Sequence, residues 1–383
     1  MKIVSDANIP FVENCFSSIG EVDVVPGREI RAEVIADADV LLVRSITRVD
    51  SDLLAGSSVR FVGTATIGFD HVDTDFLSKN NIGFASAPGS NANSAAEYVV
   101  AALLSVAQKH KIRLEGSSIG IVGVGNVGSS VERKVKALGM KVYLNDPPLK
   151  RQTGDAKYLP LEKLFGCDFI TLHTPLTFDG IDKTFHLADE KFFKSLRDEC
   201  VFINTSRGAV VDTITLKGAI QVGKLGAVVL DVWENEPNID IELLRIVDLS
   251  TPHIAGYSLD GKVAGMIMIY RGVCEHFGLE AKYDVGDFLP EPDVGELKVE
   301  PSTGQEQDII HRAVQQVYAI NRDDFNTREI AMVPEDQRAK FFDDLRKNYP
   351  VRRELQNTKI ILKTSCESLA KKLMGIGFRV DSS

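Results

Sequence analysis

The stretch Gly123-Val124-Gly125-Asn126-Val127-Gly128 decides the fold, because a strand pattern precedes it and a helix pattern follows it. The run before it, Ser118-Ile119-Gly120-Ile121-Val122, is short and apolar, and apolar residues then recur at helical spacing up to Leu138. A second strand pattern over 141–145 ends at Asp146, eighteen residues beyond the last glycine. A strand, a glycine turn, a helix and a second strand ending in an acid predict a dinucleotide-binding unit.

Each part of this unit has a role in holding a pyrophosphate-linked cofactor. The first glycine allows the tight turn, the second lets the backbone approach the pyrophosphate, and the third lets helix and strand pack closely. The helix N-terminus offers unpaired N–H groups to the anion. The terminal carboxylate binds ribose hydroxyls and repels a 2′-phosphate, which favours NAD over NADP. The predicted cofactor contacts are Gly123, Gly125, Asn126, Val127, Gly128 and Asp146. The alternative is a tight turn that binds nothing, since such glycine patterns also mark ordinary loops.

Length and composition indicate a globular protein of several domains. The 383 residues exceed one ordinary core, so two or three domains are expected. Hydrophobic residues at 44% and charged residues at 26% are typical of globular chains, and no apolar run has the length of a membrane span. The net charge of −10 argues against a nucleic-acid-binding surface. We therefore expect neither a nucleic-acid nor a membrane partner.

The cysteines indicate a reducing compartment. There are five, widely spaced and without a CxxC pair, which suits the cytoplasm and argues against a zinc cluster. No metal site is therefore predicted. The N-terminus lacks the long apolar stretch and the cleavage site of a secretory signal.

The first ninety residues alternate short apolar runs with helical patterns, which predicts a small parallel α/β domain. Two of its strands end in polar loops, 44–47 and 64–68, and ligands bind at the carboxyl ends of parallel strands. An apolar helix pattern after Gly256 is interpreted as crossing back to this domain. We predict a discontinuous domain of residues 1–92 with 256–281, and an inserted cofactor domain of residues 93–255.

Residues 282–383 are predicted to form a separate, small α+β domain. Its first part, 284–301, is acidic and contains prolines, like a linker. Helices are expected from Ser302 and over 335–348 and 366–374, around a strand at 359–362.

Three strand ends of the cofactor domain carry residues suited to catalysis. Arg207, Glu236 and His253 each follow a strand pattern, so all three are expected on the sheet edge that carries the glycine turn. Hydride transfer between NAD and a secondary alcohol needs a group that takes the hydroxyl proton, and histidine titrates near neutrality. Glu236 would orient the imidazole, and the Arg207 guanidinium would pair with a substrate carboxylate.

Taken singly, these residues also have ordinary interpretations. A histidine after proline is usually a turn residue, a Glu-Pro pair a loop, and an arginine before glycine a solvated helix cap. Asp231 is either a helix cap or a contact to the nicotinamide, and Thr174, after a strand, is either a turn residue or a cofactor contact. The common position of the first three at successive strand ends favours catalysis.

The order of these motifs resembles the D-isomer-specific 2-hydroxyacid dehydrogenases over about residues 1–280. The resemblance implies two Rossmann-like, doubly wound parallel-sheet domains of the α/β class, with the cofactor domain inserted into a discontinuous substrate domain. It also implies that Arg207, Glu236 and His253 are catalytic, and that Ser206 and Gly256 contact NAD together with Thr174 and Asp231.

Within that family, the runs 43–45, 63–73 and 253–258 and the extra C-terminal domain are similar to a member that oxidises a phosphorylated four-carbon 2-hydroxy acid. That resemblance implies that Ser45, Thr66 and Tyr257 bind the substrate and that the last domain forms a homodimer. Arg44 is a reasonable phosphate partner by its charge. Arg352 and Arg353 either reach a phosphate across the dimer or form a solvated charge pair, and the solvated pair is favoured.

Two other functions remain open from the sequence. One is a dehydrogenase of a different 2-hydroxy acid, such as phosphoglycerate. The other is a non-catalytic, NAD-sensing corepressor-like protein, against which the three catalytic candidates weigh.

Overall fold

The computed structural model describes residues 1–382 and divides them into two compact units. The first unit comprises Met1–Ala92 and Tyr257–Glu291. Its five parallel strands have the order β2-β1-β3-β4-β5. They are β1 Lys2–Asp6, β2 Glu21–Val25, β3 Val40–Val43, β4 Phe61–Thr64 and β5 Gly83–Ala85. Its helices are α1 Val12–Phe16, α2 Ala32–Ile35, α3 Ser51–Leu54, α4 Thr74–Lys79 and α11 Leu259–Phe277.

Burial explains why the first sheet is parallel and covered on both faces. Every residue of β3 and β4 is buried, as expected of strands with helices on either side. On one face, α11 contributes Val263, Met266 and Tyr270 to a core that includes Ile3 and Leu42. The second run of chain in this unit thus completes the core begun by the first.

The second unit comprises Asn93–Gly256 and, within the described residues, 292–382. Its larger sheet has six parallel strands in the order β11-β10-β9-β8-β6-β7. They are β6 Ser118–Val122, β7 Lys141–Asn145, β8 Phe169–Leu172, β9 Cys200–Asn204, β10 Leu225–Leu230 and β11 Leu249–Ser250. The helices of this part are α5 Ala92–His110, α6 Asn126–Ala137, α7 Pro147–Thr153, α8 Glu190–Ser195, α9 Thr213–Gln221 and α10 Ile241–Ile246.

The strand order of the larger sheet reverses direction at β6. The chain goes from β6 to β7 on one side and returns to β8 on the other, so the loops after β6 and β8 diverge. Ligands of open α/β sheets bind at such a switch point. The glycine turn follows β6 and Thr174 follows β8, so both predicted cofactor contacts lie there.

Residues 292–382, here called the C-terminal region, form a smaller parallel sheet with its own helices. The strand order is β12-β13-β14, with β12 Glu296–Val299, β13 Lys359–Leu362 and β14 Arg379–Ser382. The helices are α12 Glu306–Val317, α13 Ile320–Arg328, α14 Glu335–Lys347 and α15 Glu367–Ile376.

Two sequence expectations for this region were wrong. Residues 296–299 are a strand rather than linker, because Leu297 and Val299 alternate with exposed Glu296 and Lys298 and pack on the core. The first helix begins at Glu306, not Ser302, since residues 301–303 form a separate 3₁₀ turn that begins with Pro301. The region packs on the cofactor domain, because one continuous hydrophobic core contains Val99 and Val131 as well as Ile310 and Leu373.

Two parallel sheets flanked by helices confirm the α/β class and the Rossmann-like architecture. Among the residues that the structure describes, no helix has the length and apolarity needed to cross a membrane.

Candidate active site

The second unit brings two of the three catalytic candidates into direct contact. His253 Nδ1 lies 2.8 Å from Oε2 of Glu236, so the loops after β10 and β11 meet at this hydrogen bond. Arg207, after β9, donates from Nη1 to the carbonyl of Ser206 and pairs with no carboxylate within residues 1–382. A proton on Nδ1 that faces the carboxylate leaves Nε2 of the imidazole to accept a proton from a substrate.

The carboxyl group of Glu236 is held in the form that supports this histidine. Burial acts to raise the pKa of Glu236, but the hydrogen bond and charge of His253, the N–H of Trp233 and the charge of Arg346 outweigh it. The pKa therefore lies below its usual value, and Glu236 is ionised at neutral pH. An ionised partner fixes the imidazole tautomer and stabilises the imidazolium.

Asp231 fixes the backbone that carries His253. His253 has φ 59°, in the left-handed region that costs a non-glycine residue energy and persists only where neighbours enforce it. Its N–H donates to the Asp231 carbonyl at 2.7 Å, and the Asp231 carboxylate accepts the N–H groups of Ile254 and Ala255. Asp231 is 1% exposed. Within the chain it therefore positions the loop, while its predicted contact to the nicotinamide stays a prediction.

Two further residues that the sequence interpretation missed hold the strand-end loops together. Trp233 donates from Nε1 to the carbonyl of Thr251, which ties the loop that carries Glu236 to the loop that carries His253. A Cβ on Gly208 would lie 1.9 Å from the Trp233 carbonyl oxygen. The chain just after Arg207 therefore lies too close to Trp233 for a side chain at position 208. The one signal in the sequence was that Trp233 is the single tryptophan of the chain.

The glycine turn has the geometry expected of a dinucleotide site. Gly123 has φ 86°, and a Cβ there would lie 2.7 Å from the carbonyl oxygen of His173. A Cβ on Gly128 would lie 2.0 Å from the Gly123 carbonyl oxygen, so the helix is pressed against the turn. Gly125, in contrast, has nothing within 4 Å of its Cβ position. The space that a pyrophosphate needs is thus beside the second glycine.

Polar groups around the turn fit the same cofactor. Thr174 Oγ1 is buried and has no hydrogen-bond partner within the described chain, so a donor and acceptor is available at the switch point. Asp146 is half-buried and accepts the N–H groups of Val124 and Leu149, which places its carboxylate at the end of β7 beside the turn. The residues present therefore fit NAD. Asn126 and Val127 begin α6, Ser206 is buried with its hydroxyl on Asn204, and Gly256 is half-buried.

His173 lies under the glycine turn as a neutral residue. Its two ring nitrogens are each 3.0 Å from a threonine hydroxyl, of Thr171 and Thr205. Burial lowers the pKa of His173 to about 3. An unfolded chain, with a histidine pKa of about 6.5, binds this proton more readily than the folded chain does.

We expect His173 to destabilise the protein in acid. The stability that the neutral imidazole contributes is complete above pH 6.5 and falls as the pH drops towards 3, by at most about 1.4 kcal/mol per pH unit. The change in the free energy of unfolding should stay below this value, because His173 remains partly accessible to solvent. Between pH 7 and pH 5, urea unfolding of the wild type should lose up to about 2 kcal/mol more than unfolding of His173→Asn does. An equal loss in both proteins would contradict this assignment.

The predicted substrate residues lie in the first unit, where Arg44, Ser45 and Thr66 follow strands and Tyr257 precedes α11. Arg44 and Ser45 follow β3, at the point where the order of that sheet reverses between β1 and β3. Arg44 is half-buried and makes no ion pair among the described residues. A cation beside a switch point with no acid to neutralise it suits an anionic ligand.

Thr66 and Tyr257 are held by neighbouring side chains. The Thr66 hydroxyl bonds the Thr64 hydroxyl at 2.7 Å and donates to the Gly68 carbonyl, and His71 Nε2 lies 3.0 Å from the same Thr64 hydroxyl. Tyr257 is half-buried, with the ammonium of Lys262 4.9 Å from its ring centroid. Their contact with a substrate stays a prediction.

The solvated charge pair expected at Arg352 and Arg353 is wrong. The two residues are 6% and 9% exposed. Arg352 donates to backbone carbonyls of the cofactor domain, and Arg353 donates to Asn357 Oδ1. Nothing in the sequence indicated this, because the partners of Arg352 lie about a hundred residues or more away along the chain.

Comparison with known proteins gives the same assignment as the geometry. A family model described as "D-isomer specific 2-hydroxyacid dehydrogenase, NAD binding domain" matches residues 91–255. A second model, a domain of unknown function, matches residues 288–377. The NAD cofactor predicted from the glycine turn is therefore confirmed at the level of the domain.

Full-length relatives carry a specific name. A protein of Hahella chejuensis called erythronate-4-phosphate dehydrogenase is 43% identical over 383 residues, which is 100% of both chains. The protein of the same name from Escherichia coli O1:K1 is 43% identical over 99% of this chain and 98% of its own.

Among solved structures, D-lactate dehydrogenase from Aquifex aeolicus, complexed with NAD and lactic acid, aligns with a TM-score of 0.59 and 24% identity. The alignment covers 73% of this chain and 96% of that one, and it shows a common fold. Together with the full-length relatives, these matches show that the chain belongs to the D-isomer-specific 2-hydroxyacid dehydrogenase family.

Proposed function

We propose that the chain catalyses the NAD-dependent oxidation of 4-phospho-D-erythronate to 2-oxo-3-hydroxy-4-phosphobutanoate, as a step of pyridoxal 5′-phosphate biosynthesis. The observation that carries the dehydrogenase chemistry is the hydrogen bond between His253 and the ionised Glu236 at the strand ends of an NAD-binding domain. The support for the substrate is the 43% identity, over the full length, to proteins named for it.

The chain's own residues supply the proton transfer and the alignment of the substrate. His253 Nε2 accepts the C2 hydroxyl proton, and Glu236 stabilises the imidazolium that results. Arg207, whose guanidinium meets no carboxylate of the described chain, pairs with the substrate carboxylate and holds the reacting oxygen. NAD, which the glycine turn and Asp146 would hold, would supply the hydride acceptor for C2, so that the alcohol would become a ketone as its hydroxyl proton passed to His253.

The substrate phosphate requires a second cation. We assign it to Arg44, which makes no ion pair among the described residues, with Ser45, Thr66 and Tyr257 as further substrate contacts.

The test is the rate of NADH formation with matched substrates. We expect kcat/KM for 4-phospho-D-erythronate to exceed that for unphosphorylated D-erythronate by about 100-fold or more, because a charge-assisted pair contributes a few kcal/mol. Arg44→Gln should remove most of this preference and leave the rate on D-erythronate nearly unchanged. A preference for D-erythronate, or for phosphoglycerate, would overturn the substrate assignment. No NADH from any 2-hydroxy acid would instead favour a non-catalytic NAD sensor.

The assembly and location follow from the same proposal. A homodimer through the C-terminal region is supported by Phe325 and Met332, which are 66% and 86% exposed on its surface. A single-chain mass by light scattering would contradict it. A cytoplasmic location is supported by five free cysteines, four of them buried.

A further inference from the structure

Arg352, in the C-terminal region, contacts the backbone beside the predicted catalytic base. Its Nη2 donates to the carbonyl of Ala255 at 2.9 Å and to the carbonyl of Ser94 at 3.2 Å. Ala255 lies two residues after His253, and Ser94 lies in the first turn of α5. One nitrogen thus joins residues 251–256, here called the His253 loop, to the start of a long helix.

The His253 loop is therefore held from two sides. Asp231 accepts the N–H of Ala255 at 3.0 Å, whereas Arg352 binds the carbonyl of the same residue. Asp231 thus holds the peptide group before Ala255, and Arg352 holds the peptide group after it. The left-handed backbone of His253 is strained, so its orientation depends on how firmly the rest of the loop is held.

Buried glutamates fix the segment that carries Arg352. Glu354 is 4% exposed and accepts the Ser94 hydroxyl at 2.7 Å and the Asn93 amide at 2.6 Å. Glu97 accepts the N–H of Leu355 at 3.1 Å. Residues 352–355 thus both donate hydrogen bonds to the first turns of α5 and accept hydrogen bonds from them. These bonds fix the position of the segment relative to the helix.

Arg352 is a buried cation with several compensating neighbours. Its Nε and Nη1 have no hydrogen-bond acceptor among residues 1–382, and its Cζ lies 4.2 Å from the ring centroid of Tyr318. Burial acts to lower the pKa of Arg352, but Tyr318, Tyr349, Glu97 and Asp323 outweigh it, so the pKa is raised and the guanidinium stays charged. An apolar residue could supply neither this charge nor the pair of bonds to the two carbonyls.

We propose that Arg352 is a positioning residue for the dehydrogenase reaction, which holds the His253 loop from the C-terminal region and thereby orients the His253 imidazole. This assigns a role in positioning the catalytic base to a region whose family model is described as of unknown function. The inference rests on the proposed function for the role of His253, but the contacts themselves are tested independently of any substrate.

The experiment compares two variants of Arg352 with a matched control in the full-length enzyme. Arg352→Met keeps the volume and removes both bonds, and Arg352→Lys keeps the charge but not the planar fork. Gln307→Ala is the control, because Gln307 also lies in the C-terminal region and binds two backbone groups of the cofactor domain, the carbonyl of Ile112 and the N–H of Leu114. Neither of those residues belongs to the predicted site.

We expect Arg352→Met to lower kcat about 10- to 100-fold, since small misplacements of a catalytic group have effects of that size. The isotope effect on kcat with substrate deuterated at C2 should rise, because chemistry becomes slower relative to product release. A mere loss of active protein would leave that ratio unchanged. Arg352→Lys should show the same changes, smaller in size, and Gln307→Ala should keep kcat within about twofold of the wild type.

Hydrogen exchange of the substrate-free proteins gives a second readout. Amides of residues 253–256 should exchange faster in both Arg352 variants, and amides near 112–114 should do so in Gln307→Ala. If Arg352→Met does not fold, Arg352→Lys decides the question. The proposal is overturned if folded Arg352 variants keep wild-type kcat and exchange, or if Gln307→Ala lowers kcat and raises the isotope effect equally. A wild type without turnover, but with the expected exchange, would overturn the proposed function and leave the contacts established.

Discussion

Replacing His253 with asparagine is expected to lower kcat by about 1,000-fold or more, while the affinity for NADH stays within about threefold of the wild type. A positioned general base contributes up to about 10⁴-fold, and asparagine cannot accept the hydroxyl proton. Asparagine also tolerates the left-handed backbone that His253 adopts at φ 59°, so the loop should keep its shape. Steady-state rates and NADH fluorescence titrations measure the two quantities.

The chain provides a matched control for this variant. His186 also has a left-handed backbone, at φ 51°, and its Nε2 lies 2.7 Å from Oε1 of Glu234. It is thus a second histidine–glutamate pair on a strained backbone, outside the predicted site. His186→Asn should keep kcat within about threefold of the wild type. Turnover of the His253 variant within tenfold of the wild type would mean that another group is the base.

Alanine at two glycines of the turn should separate the binding of NAD from the stability of the fold. At Gly128 a methyl group would lie 2.0 Å from the Gly123 carbonyl oxygen, so α6 must move away from the turn. We expect Gly128→Ala to lower the free energy of unfolding by about 3 kcal/mol or more and to weaken NAD binding as well. Thermal unfolding without NAD measures the first effect.

At Gly125 a methyl group meets nothing within 4 Å, and φ is −69°, which alanine adopts readily. Gly125→Ala should therefore lower stability by no more than about 1 kcal/mol, through the weaker helix cap. Its methyl group would occupy the space that the pyrophosphate needs, and the dissociation constant for NADH should rise at least tenfold. Wild-type affinity in Gly125→Ala would show that the pyrophosphate does not approach this glycine.

The sequence predicted the elements whose patterns are local. The strand before Gly123 and the helix after Gly128 are visible as an apolar run and a helical period, and the acid that ends β7 lies at the expected distance. The strand-end positions of Glu236 and His253 followed from the near-continuous apolar strands before them. Their hydrogen bond could be expected because parallel strands place their carboxyl ends on one edge.

Contacts between distant parts of the chain could not be predicted. Arg352 and Arg353 are two adjacent charges in a polar sequence, and only the fold shows that Ala255 and Ser94 cover Arg352. The strand at Glu296–Val299 lies among acids and prolines, and its sequence shows no clear strand pattern. An edge strand with one buried face needs just two apolar residues. The role of Asp231 depends on loop geometry that no periodicity encodes.

The hydrophobic core that runs from the cofactor domain into the C-terminal region has a thermodynamic consequence. Val131 of α6 and Leu373 of α15 belong to one continuous cluster, so the two parts should unfold as a single cooperative unit. A ligand present at a hundred times its dissociation constant adds about 2.7 kcal/mol to such a unit as a whole. Saturation with NAD therefore raises the free energy of global unfolding for β13 and β14 as much as for the turn that holds the cofactor.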